Sequence, residues 1–103
     1  MGRFPLEREG TKVKVTLGAE LTVSCVPELR ELLCAIQDDG VLELALDFSK
    51  TMFLDTAGIS LLLAARNDFS QDGRSFKLDC VPAPVFSLLE TLRLEKRLNA
   101  EMG

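Results

Sequence analysis

The stretch Lys12-Val13-Lys14-Val15-Thr16-Leu17 alternates polar and apolar residues, the period of a strand that lays one face on a core. Gly18 breaks it, and Ala19-Glu20-Leu21-Thr22-Val23 resumes the alternation, predicting a second short strand. The period then lengthens. Leu29, Leu32, Leu33 and Ile36 fall at i, i+3, i+4 and i+7, with Glu28, Arg30, Glu31 and Gln37 away from them, the stripe of an amphipathic helix. Ser24 is placed to cap its start, Pro27 is tolerated in its first turn, and Asp38-Asp39-Gly40 ends it.

Residues 41 to 48 carry Leu42, Leu44, Leu46 and Phe48 on one side and Val41 and Ala45 on the other, which predicts a central strand covered on both faces. From Ile59 to Phe69 the apolar positions run nearly all round a helix, predicting a largely buried one that Gln71-Asp72-Gly73 stops. Phe76, Leu78 and Cys80 alternate as a further strand. Val81-Pro82-Ala83-Pro84 then turns the chain into a last helix bearing Val85, Leu88, Leu89 and Leu92, with Pro84 in its first turn. The order β-β-α-β-α-β-α, with crossovers of this length, implies parallel neighbours. The expected fold is α/β, a small mixed sheet of four to five strands with helices packed on it.

Composition narrows the picture. At 103 residues the chain is expected to form one domain over 1–103, with a core spanning about 12–99. Hydrophobic residues make up 47% but aromatics only 6%, so the core must be built from Leu, Val, Ile and Ala. The net charge is −4 and the basic residues are scattered, which argues against a nucleic-acid stripe. No run approaches the roughly 18 apolar residues of a membrane span, and Met1-Gly2-Arg3-Phe4-Pro5-Leu6-Glu7 has no signal-peptide core. A cytoplasmic protein without direct membrane insertion is expected. Cys25, Cys34 and Cys80, in a chain with no His, form no zinc pattern and are expected to be reduced and mostly buried. Cys25, near a helix start, is the thiol whose position could lower its pKa.

The candidate chemistry lies at Leu54-Asp55-Thr56-Ala57-Gly58, in the crevice beyond a strand end where α/β sheets receive ligands and partners. An aspartic-protease half-site would need an Asp-Thr-Gly loop on an all-β frame, and Ala57 interrupts that motif. A GTPase switch would need a phosphate cradle ending in Gly-Lys-Ser or Gly-Lys-Thr, and the chain has none. What remains needs no cofactor. Asp55 just precedes a helix, where its carboxylate can accept backbone N–H groups, and Thr56 stands on the first turn as a phosphoryl acceptor, a partner contact, or simply the neighbour of a cap. Asp47 is expected to brace the loop beside Asp55, and Ser49 to serve a turn.

The run from Leu46-Asp47-Phe48-Ser49 to Asp55-Thr56-Ala57-Gly58-Ile59 resembles the STAS domain family, the anti-sigma-factor antagonists. There a strand ending in Asp-Leu-Ser leads to a hydrophobic-Asp-Ser-Ser-Gly-Leu turn. Gly18 to Leu33 and Val81 to Leu98 are similar to the family's flanking segments. The resemblance implies the STAS fold and a non-enzymatic module that binds a switch kinase and releases it when a turn serine is phosphorylated. Thr56 falls on the first serine and Ala57 on the second, the usual acceptor, so Ala57 departs from the pattern. The site implied is Asp55, Thr56, Ala57 and Gly58, with Ser24 beside it. The partner implied is an anti-sigma factor or serine kinase of histidine-kinase-like ATPase fold. The alternative is an ABC ATPase, the chain then being the STAS subunit of a lipid-transport complex, since such subunits carry an Asp-Thr turn. Exposed sheet edges leave a homodimer open.

Overall fold

The computed structural model describes residues 4–71 and 73–103. Along them run β1 (Leu6–Glu9), β2 (Lys12–Thr16), β3 (Glu20–Leu21), α1 (Val26–Asp38), β4 (Glu43–Asp47), β5 (Phe53–Leu54), α2 (Thr56–Gln71), β6 (Ser75–Val81), α3 (Ala83–Thr91) and β7 (Ala100–Met102). The main sheet has five strands in the order β1-β2-β4-β6-β7. Only β1 is antiparallel to its neighbour; the β2–β4, β4–β6 and β6–β7 pairs are parallel. The mixed α/β architecture follows the expected one, with β4 in the centre.

Register explains the core. Val13, Leu44 and Phe76 align across β2, β4 and β6, as do Val15, Leu46 and Leu78, and all six are buried. The helices close over this face with Leu29, Leu33, Ile36, Leu61, Leu62, Phe69, Val85 and Leu89. The alternate positions form the opposite face in rows of Lys12, Glu43 and Ser75, then Lys14, Ala45 and Lys77, then Thr16, Asp47 and Asp79. Ion pairs join Lys12 to Glu43 at 3.8 Å and Lys14 to Asp47 at 3.7 Å and to Asp79 at 3.9 Å. β4 is therefore central but covered on one face only, because Glu43 and Asp47 keep the other side in water. Leu42 precedes the strand and is half exposed.

Several elements depart from their predicted form. The second strand contracts to Glu20–Leu21 and leaves the main sheet to pair in parallel with β5, Glu20 opposite Phe53 and Leu21 opposite Leu54. β1, β5 and β7 are additional to the predicted strands. All four residues of β1 are exposed, so backbone pairing with β2 holds it rather than burial. Cys80 ends the alternation of β6: it adopts φ 54° at a register shift between Leu78 and Val81, and Val81 is the buried residue. α2 begins at Thr56, and its apolar faces do not close round it, since Thr56, Ser60, Ala64, Asn67 and Ser70 are exposed. Its end is marked by Gly73 at φ 72°, which donates to the Ser70 carbonyl; Asp72 of the predicted stop lies outside the described residues. On α3, Val85 and Leu89 are buried while Leu88 and Leu92 are partly exposed. The three thiols are free, but only Cys25 is buried; Cys34 is exposed and Cys80 half-buried.

Candidate functional site

The β3–β5 pair lies outside the main sheet and carries two junctions side by side: β3 runs into α1 through Thr22–Cys25, and β5 runs into α2 at Asp55. Asp55 ties them together. Its backbone N–H donates to the Leu21 carbonyl at 3.2 Å, its Oδ2 accepts the Val23 N–H at 3.0 Å, and its Oδ1 accepts the Gly58 N–H at 2.9 Å. The carboxylate is thus an N-cap for α2 that also clamps the neighbouring loop. The Gly58 N–H, then the Val23 N–H, hold its pKa below the ordinary 3.8 against a smaller opposing desolvation. At neutral pH it is a fixed negative charge.

Gly58 permits this arrangement. An ideal Cβ there would lie 2.9 Å from Leu21 Cγ and closer still to the Leu21 carbonyl oxygen. Any side chain would push α2 away from β3, so the glycine is required by close approach rather than by backbone dihedral. A second brace comes from Thr51. It is fully buried, and its hydroxyl donates to the Gly18 carbonyl at 2.8 Å, joining the loop after β4 to the loop after β2. The Met52 N–H donates to the Ala19 carbonyl at 2.8 Å and continues that seam.

On this frame Thr56 is exposed on the first turn of α2, and its hydroxyl makes no hydrogen bond among the described residues. Ala57 is half-buried and packs against the core. Val23 on the β3–α1 junction, and Met52 and Phe53 at the start of β5, leave 65%, 62% and 53% of their surface exposed. Exposed apolar side chains gathered beside a polar turn mark a surface that meets another molecule. Sequence periodicity missed them. Val23 reads as a strand position, Met52 falls in the short link after Ser49, and Phe53 opens the segment that leads to Asp55.

Ser24 does not play its expected role. The N-cap of α1 is Cys25, with no side-chain cap. The Thr22 carbonyl already takes the Cys25 and Val26 N–H groups, at 3.0 and 3.2 Å, and Pro27 has none to give. Ser24 is exposed next to Val23, so it sits beside the clamp without belonging to it. Cys25 is buried with Sγ against the Thr22 and Glu20 carbonyls at 3.4 and 3.8 Å, the surroundings of a thiol donor rather than an accessible nucleophile. Asp47 faces the open side of the sheet. It accepts the Ser49 N–H at 2.8 Å and lies near Lys14, with no bond to the Asp55 loop among the described residues. Desolvation raises its pKa, but the Ser49 hydrogen bonds and Lys14 outweigh it and the net shift is downward. Among the described residues no group of three His, Cys, Asp or Glu could hold a metal ion. No helix there is long and apolar enough to cross a membrane.

The model of the family described as "Mlab, STAS domain" matches residues 4–100. The anti-sigma-B factor antagonist of Staphylococcus aureus is 24% identical over 90 residues, which cover 87% of this chain and 83% of the relative. The anti-sigma factor antagonist SpoIIAA in its unphosphorylated form superposes with a TM-score of 0.81 at 20% identity, covering 97% of this chain and 87% of that one. The phosphorylated form of the Bacillus cell fate determinant SpoIIAA gives 0.77 at 19%, covering 97% and 90%. With the sheet order, the clamped Asp55 turn and a family match over nearly its whole length, this chain belongs to the STAS domain family.

Proposed function

We propose that this STAS domain is a non-enzymatic, cytoplasmic regulator that binds an anti-sigma factor or serine kinase of histidine-kinase-like ATPase fold through the Asp55–Gly58 end. The observation that carries the proposal is Thr56, a hydroxyl at the start of α2 without a hydrogen-bond partner among the described residues, with Val23, Met52 and Phe53 exposed on the β3–β5 pair and the segments flanking it. The named relatives, anti-sigma factor antagonists, support a protein partner of this kind.

Ala57 stands where the family's usual phosphoacceptor serine is expected, and it is turned against the core. Thr56 is the hydroxyl the turn has left. A phosphate there would add about −1.5 to −2 charge beside the already ionised Asp55. Carrying that charge unpaired into a partner interface costs several kcal/mol, at about 1.4 kcal/mol for each tenfold in affinity.

A second reading is favoured by Ala57 and by the family match. A constitutive subunit needs no phosphoacceptor, as in a STAS subunit that binds the ATPase of a lipid-transport ABC complex. Incubating the full chain separately with a purified serine kinase of histidine-kinase-like fold and with a purified ABC ATPase from the same source, each with ATP, and locating phosphate by mass spectrometry separates the two. Phosphate on Thr56 with loss of the complex supports the switch. A complex indifferent to ATP supports the constitutive subunit, and the absence of any complex with either ATPase class contradicts both.

A further inference from the structure

At the other end of α2 from the turn, Arg66, Ser70, Arg74, Ser75, Phe76, Lys96, Arg97 and Asn99 line a pocket of about 250 Å³. Four of these eight are cationic, a third of the 12 Lys and Arg residues in a chain whose net charge is −4. No acidic side chain among the described residues lines the pocket. Like charges brought together repel, so at Arg66, Lys96 and Arg97, which make no ion pair among the described residues, an added anion is favoured.

Internal explanations fall short. The end of a helix attracts cations, but two of the last carbonyls of α2 are already used: Phe69 accepts the Arg74 N–H and Ser70 the Gly73 N–H. No ion pair among the described residues engages Arg66, Lys96 or Arg97; the Arg66 guanidinium donates to Asn67 Oδ1, at 3.2 Å. Glu95, adjacent to Lys96, buries its Oε2 without a hydrogen-bond partner and forms no ion pair with these cations among the described residues.

The walls are fixed in place. Arg74 stacks 5.8 Å over the Phe69 ring and donates to the Gln37 carbonyl at 2.7 Å. Asn99 donates from Nδ2 to the Phe76 carbonyl at 3.2 Å, and its own carbonyl accepts the Leu78 N–H at 3.2 Å. Leu98 anchors the segment with a fully buried side chain. The chain therefore presents hydroxyls from Ser70 and Ser75 among guanidinium and ammonium groups on a supported surface, the donor set that recognises a phosphate.

We infer that this pocket is an anion site for a phosphate group, formed by Arg66, Lys96 and Arg97 with Ser75. It is independent of the Asp55 turn. Binding is read from amide shifts of the isotope-labelled full chain titrated with sodium phosphate, against sodium chloride at matched ionic strength. The same chain is tested for co-sedimentation with phosphatidylglycerol and with phosphatidylcholine vesicles. Phosphate-specific shifts at Ser75, Arg97 and Asn99 are expected, weakened roughly tenfold or more by Lys96→Glu with Arg97→Glu. Arg66→Gln, on a separate element, is expected to weaken binding as well, which tests the site independently of any disturbance of the 94–99 segment by the double change. Phosphate-specific shifts without vesicle binding identify a soluble phosphate. Phosphatidylglycerol-selective sedimentation lost in the same variants identifies a lipid headgroup. Shifts equal to those in chloride with no selective sedimentation, or binding that survives both variants, overturn the inference.

Discussion

Asp55 accepts the backbone N–H of Val23 at 3.0 Å through one carboxylate oxygen while the other accepts Gly58 at 2.9 Å. One side chain thus fixes the start of α2 and the loop that leads to α1, and it holds the exposed Val23 beside Thr56. A helix cap alone would need only the Gly58 bond. The second bond couples the two junctions that form the candidate surface.

Asp55→Asn keeps at most one of these acceptors, because an amide nitrogen cannot receive an N–H. The wild-type carboxyl has its pKa lowered on folding from the ordinary 3.8. Its contribution is therefore complete above that value and is lost as pH falls through the lower folded value. Urea midpoints measured from pH 7 downward are expected to favour the wild type at neutral pH, with the gap to Asp55→Asn narrowing below about pH 4. A gap independent of pH would contradict the charged clamp.

Gly58→Ala would normally help a helix by up to about 1 kcal/mol. Here its Cβ meets the Leu21 backbone, and overpacking of that kind costs about 1–3 kcal/mol. Chemical denaturation is expected to show net destabilisation. A variant as stable as the wild type would mean that α2 can move off β3 freely.

Thr51→Val preserves shape but removes the buried hydroxyl that serves the Gly18 carbonyl. Losing that hydrogen bond costs about 0.5–1.5 kcal/mol, so the unfolding midpoint should fall, with amide exchange accelerated around Met52 and Phe53. No change in either would remove Thr51 from the frame of the site.

Phe53→Ser changes a side chain that is 53% exposed. Stability is expected to stay within about 0.5 kcal/mol of wild type, in contrast to Gly58→Ala. A large loss of stability in a melting experiment would show that Phe53 serves the fold and not a surface.

The sequence made legible those elements whose side chains face the core with a regular period. Leu29, Leu33 and Ile36 on α1 and the alternation of β2, β4 and β6 are buried where periodicity placed them. β1 was illegible because Leu6-Glu7-Arg8-Glu9 buries nothing and is held by backbone pairing. The separate β3–β5 sheet was hidden for a related reason: each of its strands is two residues long, too short to show a period. At the site, the Asp55 cap could be read from its place before a helix. Its bond to Val23 depends on a pairing between distant segments that no local pattern encodes. Ser24 looked like a cap by residue type, but the Thr22 carbonyl occupies the N–H groups it would have served.

The most direct test of the central claim is an affinity pull-down from the source cytoplasm with four baits: wild type, Thr56→Glu, Phe53→Ser and Leu42→Ser, the last an exposed apolar residue outside the two junctions. Retained proteins are quantified by mass spectrometry. The prediction is one ATPase of histidine-kinase-like fold held by wild type and Leu42→Ser and lost from Thr56→Glu and Phe53→Ser, with an ABC ATPase in that role if the second reading holds. The same partners held equally by all four baits would contradict the claim and leave Asp55-Thr56 as no more than the start of a helix.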